Sequence, residues 1–265
     1  MSYIVACKMD GLGNSIKNML STYRIAKLNN YTPIIIDKRL MDIFTNIDNQ
    51  KNVKIFSCIR SSADWHISEN DYLDKYPNDF LVSHDKYRTI LNKYGEYTIE
   101  QLYHLTPKNI LSQYKDIIFN LKINQKIANY IENFINDNLA DKKIASFHIR
   151  TWNGDKWKVC EKSRNRNKDY YNYLIWDDTI RQYINEGYIP FICSDDTELV
   201  NNLSKKYNII THRYSNSNLD FKQWELDFID IILMGKSEIF VGSFLSSFSE
   251  LVYYFSNTIK KTVII

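Results

Sequence analysis

Apolar positions follow two different rhythms along this chain, most plainly in its second half. Short apolar, β-leaning runs alternate there with longer stretches in which apolar residues recur at helical spacing. The first pattern suits strands buried on both faces and the second suits amphipathic helices. On this reading Ile144 to Ile149, Tyr188 to Cys193, Asn208 to Thr211, Glu238 to Val241 and Thr262 to Ile265 are strands. Helices cover Asp169 to Asn185, Leu226 to Met234 and Leu245 to Phe255, and another opens at Ser194-Asp195-Asp196. Strand and helix alternating throughout call for an α/β fold with a doubly wound parallel sheet of about five strands in this half.

The N-terminal end repeats the theme once. Tyr3 to Lys8 reads as a strand, Asp10-Gly11-Leu12-Gly13-Asn14 as a tight glycine turn, Ser15 to Asn29 as a helix and Thr32 to Asp37 as a second strand. Ile16, Met19, Leu20, Tyr23, Ile25, Ala26 and Leu28 supply that helix with an apolar face. From Lys38 to Asp141 the rhythm is weaker. Val53 to Phe56 has strand composition, Ser57 to Tyr97 is polar and rich in aromatics, and helices suit Ile99 to Leu105, Lys108 to Tyr114 and Asn124 to Leu139. Asp141-Lys142-Lys143 is the expected junction, which divides the chain into an N-terminal domain, residues 1–141, and a C-terminal domain, residues 142–265.

Charge and cysteine usage narrow the function classes. With 34 basic and 31 acidic residues among 265, and a net charge of +3, the chain has no general basic character, so nucleic acid is not an expected partner. Cys7, Cys58, Cys160 and Cys193 lack paired spacing, which argues against a disulfide framework and against zinc. His66, His84 and His104 stand apart from one another, so no metal site is expected from them. No run reaches membrane-spanning length, and the first residues lack the basic start and long apolar core of a secretory signal. The expectation is a cytoplasmic protein without a membrane span.

Chemistry concentrates where strands end. In Ile144 to Asp155, IASFHIRTWNGD, a buried strand delivers His148 and Arg150 to its C-terminal end. Ligands of open parallel sheets bind outside the carboxyl ends of strands, where a planar, permanently charged guanidinium suits phosphate or carboxylate. An Arg paired with a nearby carboxylate is the alternative. Ser194-Asp195-Asp196 follows the next strand directly and brings carboxylates to the same edge, although Ser and Asp also serve there as helix caps. Gly242-Ser243-Phe244-Leu245-Ser246-Ser247-Phe248-Ser249 is a serine-rich turn from strand to helix. Its hydroxyls and backbone N–H groups can cradle phosphate, or the serines can simply cap the helix. The basic stretch Trp157 to Lys168 is either a solvated loop or a lid over an anion. Gly11 and Gly13 form a lone GxG, without the third glycine of a dinucleotide fingerprint or the Gly-Lys-Ser/Thr ending of a P-loop.

Four of these segments, in this order, resemble the fucosyltransferase superfamily that includes protein O-fucosyltransferases, bacterial α-1,2-fucosyltransferases and the nodulation α-1,6-fucosyltransferase. They are GLGNSIKNMLSTYRIAKLNNYTPIII, FHIRTWNGD with its His-x-Arg motif, PFICSDD, and DIILMGKSEIFVGSFLSSFSELVYYF with its Ser-Ser-Phe block. Lys38 to Asn138 matches none of the family's segments.

The resemblance implies a GT-B-like fold of two Rossmann-like domains, the donor in the C-terminal half and the acceptor in the cleft. It implies an inverting transfer of fucose from GDP-fucose to a glycan or protein hydroxyl, with no metal or other cofactor. Arg150 would grip the diphosphate, with His148 nearby. Ser246, Ser247 and Phe248 would lie at the phosphates, Asp230 at the guanine edge, Asp195 at the donor pocket, and Asn14 at the sugar and acceptor, with Gly11 and Gly13 shaping the turn before it. Asp155 matches the family's acidic residue only across a small insertion, and Thr151 stands where many relatives carry a second Arg. Asp10, Asp155 and Glu161 are the candidates for the base that takes the acceptor's proton. Transfer of another nucleotide sugar, or sugar-nucleotide or glycan binding without transfer, are the alternatives.

Overall fold

The computed structural model describes residues 3–6, 11–30, 32–35, 37–47, 80–82, 95–98, 108–152, 171–213, 219–244 and 246–265. The chain forms two compact units. One comprises Met1–Thr89 and Thr106–Ala128, the other Ile90–Leu105 and Asn129–Ile265.

In the first unit β1 (Tyr3–Ala6) lies between β2 (Thr32–Ile35) and β3 (Phe80–Val82), and both pairings are parallel. Helix α1 (Leu12–Asn29) makes the crossover from β1 to β2 and buries Ile16, Met19 and Leu20 completely. It starts three residues earlier than the glycine turn suggested, with Gly11 as N-cap and Gly13 and Asn14 inside the first turn. Glycine is a poor helix former, yet its cost is tolerable at an end where backbone N–H groups lack intrahelical partners anyway. The helix stops at Asn30, whose left-handed backbone (φ 56°) returns its N–H to Ala26.

Helix α2 (Lys38–Ile43) follows β2, and its N-cap Asp37 accepts from the Arg39 N–H at 3.0 Å. The Arg39 guanidinium also closes on Asp37, Nε at 2.9 Å and Nη2 at 2.6 Å, while Nη2 donates to Ser15 Oγ at 2.7 Å. One side chain thereby braces the start of α2 against the first turns of α1. Burial alone would raise the Asp37 pKa, but the bonds from Arg39 and Ser15 outweigh it and hold the carboxyl below its ordinary range. Helix α3 (Lys108–Asn120) packs on α1 through a 3.0 Å contact between Tyr114 Oη and Ser21 Oγ.

The second unit is built on a five-stranded sheet. Its order is β4 (Gly95–Thr98), β8 (Lys261–Ile264), β7 (Ile239–Gly242), β5 (Ile144–Ile149), β6 (Ile189–Ser194). The last four are parallel, and β4 joins the β8 edge antiparallel. The fifth strand therefore comes from the weakly patterned middle of the sequence. Asn208 to Thr211, expected as a strand, supplies only a single bridge from Ile210 to Phe191 on the opposite edge. Val53 to Phe56 and Ile99 to Leu105 lie outside the described residues.

Helices cover both faces. On one side α5 (Tyr173–Asn185) and α6 (Thr197–Lys206) press Trp176, Ile180, Tyr183, Val200 and Leu203 onto Ala145, Phe147 and Ile149 of β5. The buried carboxylate of Asp177 ties these helices together, accepting from Arg181 at 2.6 Å, Lys206 at 2.7 Å and the Tyr207 hydroxyl at 2.9 Å. On the other side lie α7 (Gln223–Met234) and α8 (Ser247–Phe255), joined by an edge-on contact of Phe228 with Phe255. Helix α4 (Gln125–Phe134), which ends in a π-helical turn over Ile135–Leu139, brings Phe134 against Phe191 of β6. Among the described residues no helix is long and apolar enough to cross a membrane.

The Arg39 brace makes a direct expectation. Arg39→Ala strands the buried Asp37 carboxylate and is expected to cost about 2 kcal/mol of stability, the scale of a lost charged hydrogen bond. Arg39→Lys should recover only part, because an ammonium cannot span both partners. Urea unfolding would register this as a lower midpoint. An unchanged midpoint for Arg39→Ala would show that the brace contributes nothing.

Candidate active site

Strand β5 is buried from Ile144 to Ile149, so its even and odd residues each face a helical layer. Ile149, Phe147 and Ala145 meet α5 and α6, whereas Ser146 and His148 point to the α7 and α8 side. Ser146 Oγ contacts the Met234 carbonyl at 3.0 Å and Ser237 Oγ at 2.7 Å, which fixes the end of α7 over the strand. His148 Nδ1 lies 2.9 Å from Ser249 Oγ, and its ring stacks on Phe248, centroids 4.5 Å apart. Burial, then the charge of Arg150, push the His148 pKa down to about 3, so the imidazole is neutral and serves as a packed hydrogen-bonding plate.

The close approach of α8 to β7 depends on Gly242. A Cβ there would come within 2.9 Å of Ser249 Oγ, the atom that holds His148. After Gly242 the chain turns through Ser243, whose Oγ donates to the His148 carbonyl and accepts from the Arg150 N–H, both at 2.8 Å. Phe244 N–H is pinned to the Ile265 carbonyl at 2.7 Å. Ser246 is the N-cap of α8, accepting from the Ser249 N–H, with Ser247 and Phe248 in the first turn. The first N–H groups of a helix have no intrahelical acceptors and carry the positive end of its dipole, so this turn suits an anion.

Arg150 closes the same edge. Burial lowers its pKa while Asp195 and Asp227 counter that, and a guanidinium that starts so high stays charged. Its guanidinium lies over the Trp152 ring, 4.2 Å from the centroid. Asp195, at the end of β6, accepts from the Thr151 N–H at 2.8 Å and from its hydroxyl at 3.3 Å, and Asp196 caps α6. The structure thus brings His148, Arg150, Asp195, Ser246, Ser247 and Phe248 to one end of one sheet. Ser243 and Ser249, read from the sequence only as part of the serine-rich turn, hold the Arg150 N–H and His148 from within, and Trp152, given no role by the sequence, belongs with them because an aromatic in a loop has no spacing signature of its own.

Asp230 is 2 % exposed on α7. Its carboxylate meets three side chains: His212 Nε2 at 2.5 Å and Cys193 Sγ at 2.9 Å on Oδ1, and Arg213 on Oδ2. Arg213 also binds Asp227 at 2.6 Å. Burial would raise the Asp230 pKa, but Arg213 and His212 outweigh it and bring it down to about 2. The partner that an apolar helix demands for this charge is therefore supplied from within the chain, by His212 and Arg213 just past the expected strand Asn208 to Thr211 and by Cys193 of β6.

Gly11, Gly13 and Asn14 belong to the first unit, at the start of α1. Asp10, Asp155 and Glu161, like the stretch Trp157 to Lys168, lie outside the described residues. Among the described residues no three His, Cys, Asp or Glu side chains gather in a way that could hold a metal ion.

The Asp230 network fixes an acid response. A folded pKa of about 2 against an unfolded value of about 3.9 means that its contribution is complete above about pH 4 and is lost as pH falls toward 2. Asp230→Asn should cost about 3 kcal/mol at pH 7, the lower end for breaking a buried ion pair, since Arg213 keeps Asp227. It should also flatten the stability profile between about pH 4 and 2. Urea titrations across that range check both, and an unaltered acid slope in the variant would exclude Asp230 as its source.

No protein-family model matches the sequence, and comparison with curated proteins gives no match. Solved structures do match. The fucosyltransferase NodZ from Bradyrhizobium superposes with a TM-score of 0.57 at 12% identity, covering 95% of this chain and 91% of that one. POFUT1 in its apo form superposes at 0.58 with 15% identity, covering 100% and 97%. POFUT1 in complex with GDP-fucose gives 0.55 at 16% identity, covering 99% and 98%. With a parallel sheet in each unit and near-complete coverage on both sides, the chain has the GT-B-like α/β fold of these solved fucosyltransferases.

Proposed function

We propose that this protein is an inverting, metal-independent glycosyltransferase that moves fucose from GDP-fucose to a hydroxyl of a glycan or protein. The observation that carries the reading is the placement, at the carboxyl end of one sheet, of both Arg150 and the serine-capped start of α8. The match to structures that hold GDP or GDP-fucose supports it.

In this reading the acceptor oxygen attacks the anomeric carbon as the bond from that carbon to the diphosphate oxygen breaks. The acceptor's proton passes to a carboxylate, for which Asp10, Asp155 and Glu161 are the candidates. The sugar becomes positively charged, oxocarbenium-like, and negative charge gathers on departing GDP. Arg150 and the first N–H groups of α8, near Ser246, Ser247 and Phe248, stabilise that departing charge without reorganising. His148, neutral and stacked on Phe248, supports the cradle. The resemblance assigns Gly11, Gly13 and Asn14 to the sugar and acceptor. Asp195 acts at the donor pocket by holding the turn after Arg150.

Asp230 favours guanine in this scheme, because a guanine edge offers two N–H donors that a carboxylate can accept together. The internal partners of Asp230 favour a second reading. A carboxylate already committed to His212, Cys193 and Arg213 need not select the base, and the donor would then be another nucleotide sugar.

Calorimetry separates the two. GDP should bind roughly tenfold more tightly than UDP, the value of one charged hydrogen bond. Equal affinities would remove the guanine assignment. Transfer from GDP-fucose should persist in EDTA, and restoration by manganese after its loss would defeat the metal-free account.

Arg150→Ala should raise the barrier by about 3 kcal/mol or more, by analogy with loss of an oxyanion donor. Arg150→Lys should rescue little, since an ammonium cannot make bidentate contact with a diphosphate. Near-normal turnover by folded Arg150→Ala would sink the proposal.

A further inference from the structure

The chain leaves β5 through Arg150, Thr151 and Trp152, and the backbone of Trp152 is left-handed, φ 62°. For a bulky side chain that conformation is a real outlier, and such outliers persist only where their surroundings enforce them. The enforcement is visible. Thr151, 1 % exposed, is held by Asp195 through both its N–H and its hydroxyl, and the Arg150 N–H is held by Ser243. With the two preceding residues fixed, the left-handed step turns the Trp152 indole back beneath Arg150, where it is 8 % exposed and 4.2 Å from the guanidinium carbon.

The kind of support matters. A carboxylate grips a guanidinium by its N–H edge, as Asp227 grips Arg213. An aromatic face meets it by its plane and is attracted to the cation, so it fixes the orientation of that plane. We propose that Trp152 is a positioning residue, a π platform that sets the plane of the Arg150 guanidinium so that its edge meets a diphosphate, with Asp195 and Thr151 maintaining the platform. The inference deepens the transferase reading of Arg150 and rests on it. It also accounts for Asp195 without placing that carboxylate on the donor, where it would repel phosphate.

Simple core filling is the competing explanation, and ring chemistry distinguishes them. Trp152→Phe keeps a π face, whereas Trp152→Leu and Trp152→Met fill the space without one. Two readouts are taken on the full chain: the rate of phenylglyoxal modification at Arg150, mapped by peptide mass spectrometry, and kcat and KM for transfer from GDP-fucose. The Phe variant should stay within about threefold of the parent in both, because phenyl retains much of the cation–π attraction. The Leu and Met variants should expose Arg150 to modification several-fold faster, and should lose on the order of tenfold or more in kcat with a smaller change in KM, the pattern of an interaction made chiefly in the transition state.

Should Phe, Leu and Met behave alike in modification rate, the platform is overturned, whatever the activities. Two non-aromatic variants are used so that misfolding of one, seen by circular dichroism, does not decide the matter. A modification pattern as expected in a parent that transfers no sugar would overturn the transferase reading instead and leave the stacking established.

Discussion

Because β5 is buried on both faces, each polar group it carries must be answered by another element, and the site is the sum of those answers. Ser146 is met by the end of α7, His148 by Ser249 on α8, and the last peptide groups by Ser243 and Asp195. An unsatisfied polar group in such a layer costs as much as several good packing contacts. The strand therefore dictates where the helices and turns above it must start. Gly242 is part of the same condition, since any larger residue would push Ser249 away from His148.

At Arg150 the strand delivers a full charge to its edge, where an indole face lies against the guanidinium. Three buried carboxylates tie the scaffold together. Asp177 binds α5 to α6, Asp230 holds the 212–213 segment, and Asp37 braces α1 in the first unit. Those pairs join pieces of scaffold and neutralise themselves in doing so. Arg150 instead has an indole face 4.2 Å from its guanidinium carbon, with the charges of Asp195 and Asp227 opposing the effect of its burial.

The fold tolerates great change around these conditions. At 11% to 16% identity the superposed NodZ and POFUT1 chains share few side chains with this one, yet coverage on both sides exceeds 90%. What a doubly wound sheet requires is a rhythm of apolar residues and a place for strands to end, and many sequences meet that requirement. Chemistry at the carboxyl edge then depends on a few side chains, which is why resemblance of fold leaves the donor and acceptor to be argued from the site.

The apolar rhythm by itself determined the parallel strands β5 to β8, the helices between them and the edge where His148, Arg150 and Ser246 meet. Burial on both faces is written in local sequence, and the carboxyl end of a strand follows from the chain direction. Tertiary structure alone decided the rest. Strand β4 came from a region with no clear period, because an edge strand needs only one partner, β8, which supplies the pairing. Asn208 to Thr211 had strand composition but yielded one bridge, and the next residues, His212 and Arg213, turned inward onto Asp230. The sequence could show that a charge in an apolar helix needs a partner but not which one, since that choice is made by residues brought together from distant positions. The same holds for Trp152, an unremarked aromatic in a loop until a left-handed backbone and the grip of Asp195 on its neighbour placed it against the Arg150 guanidinium.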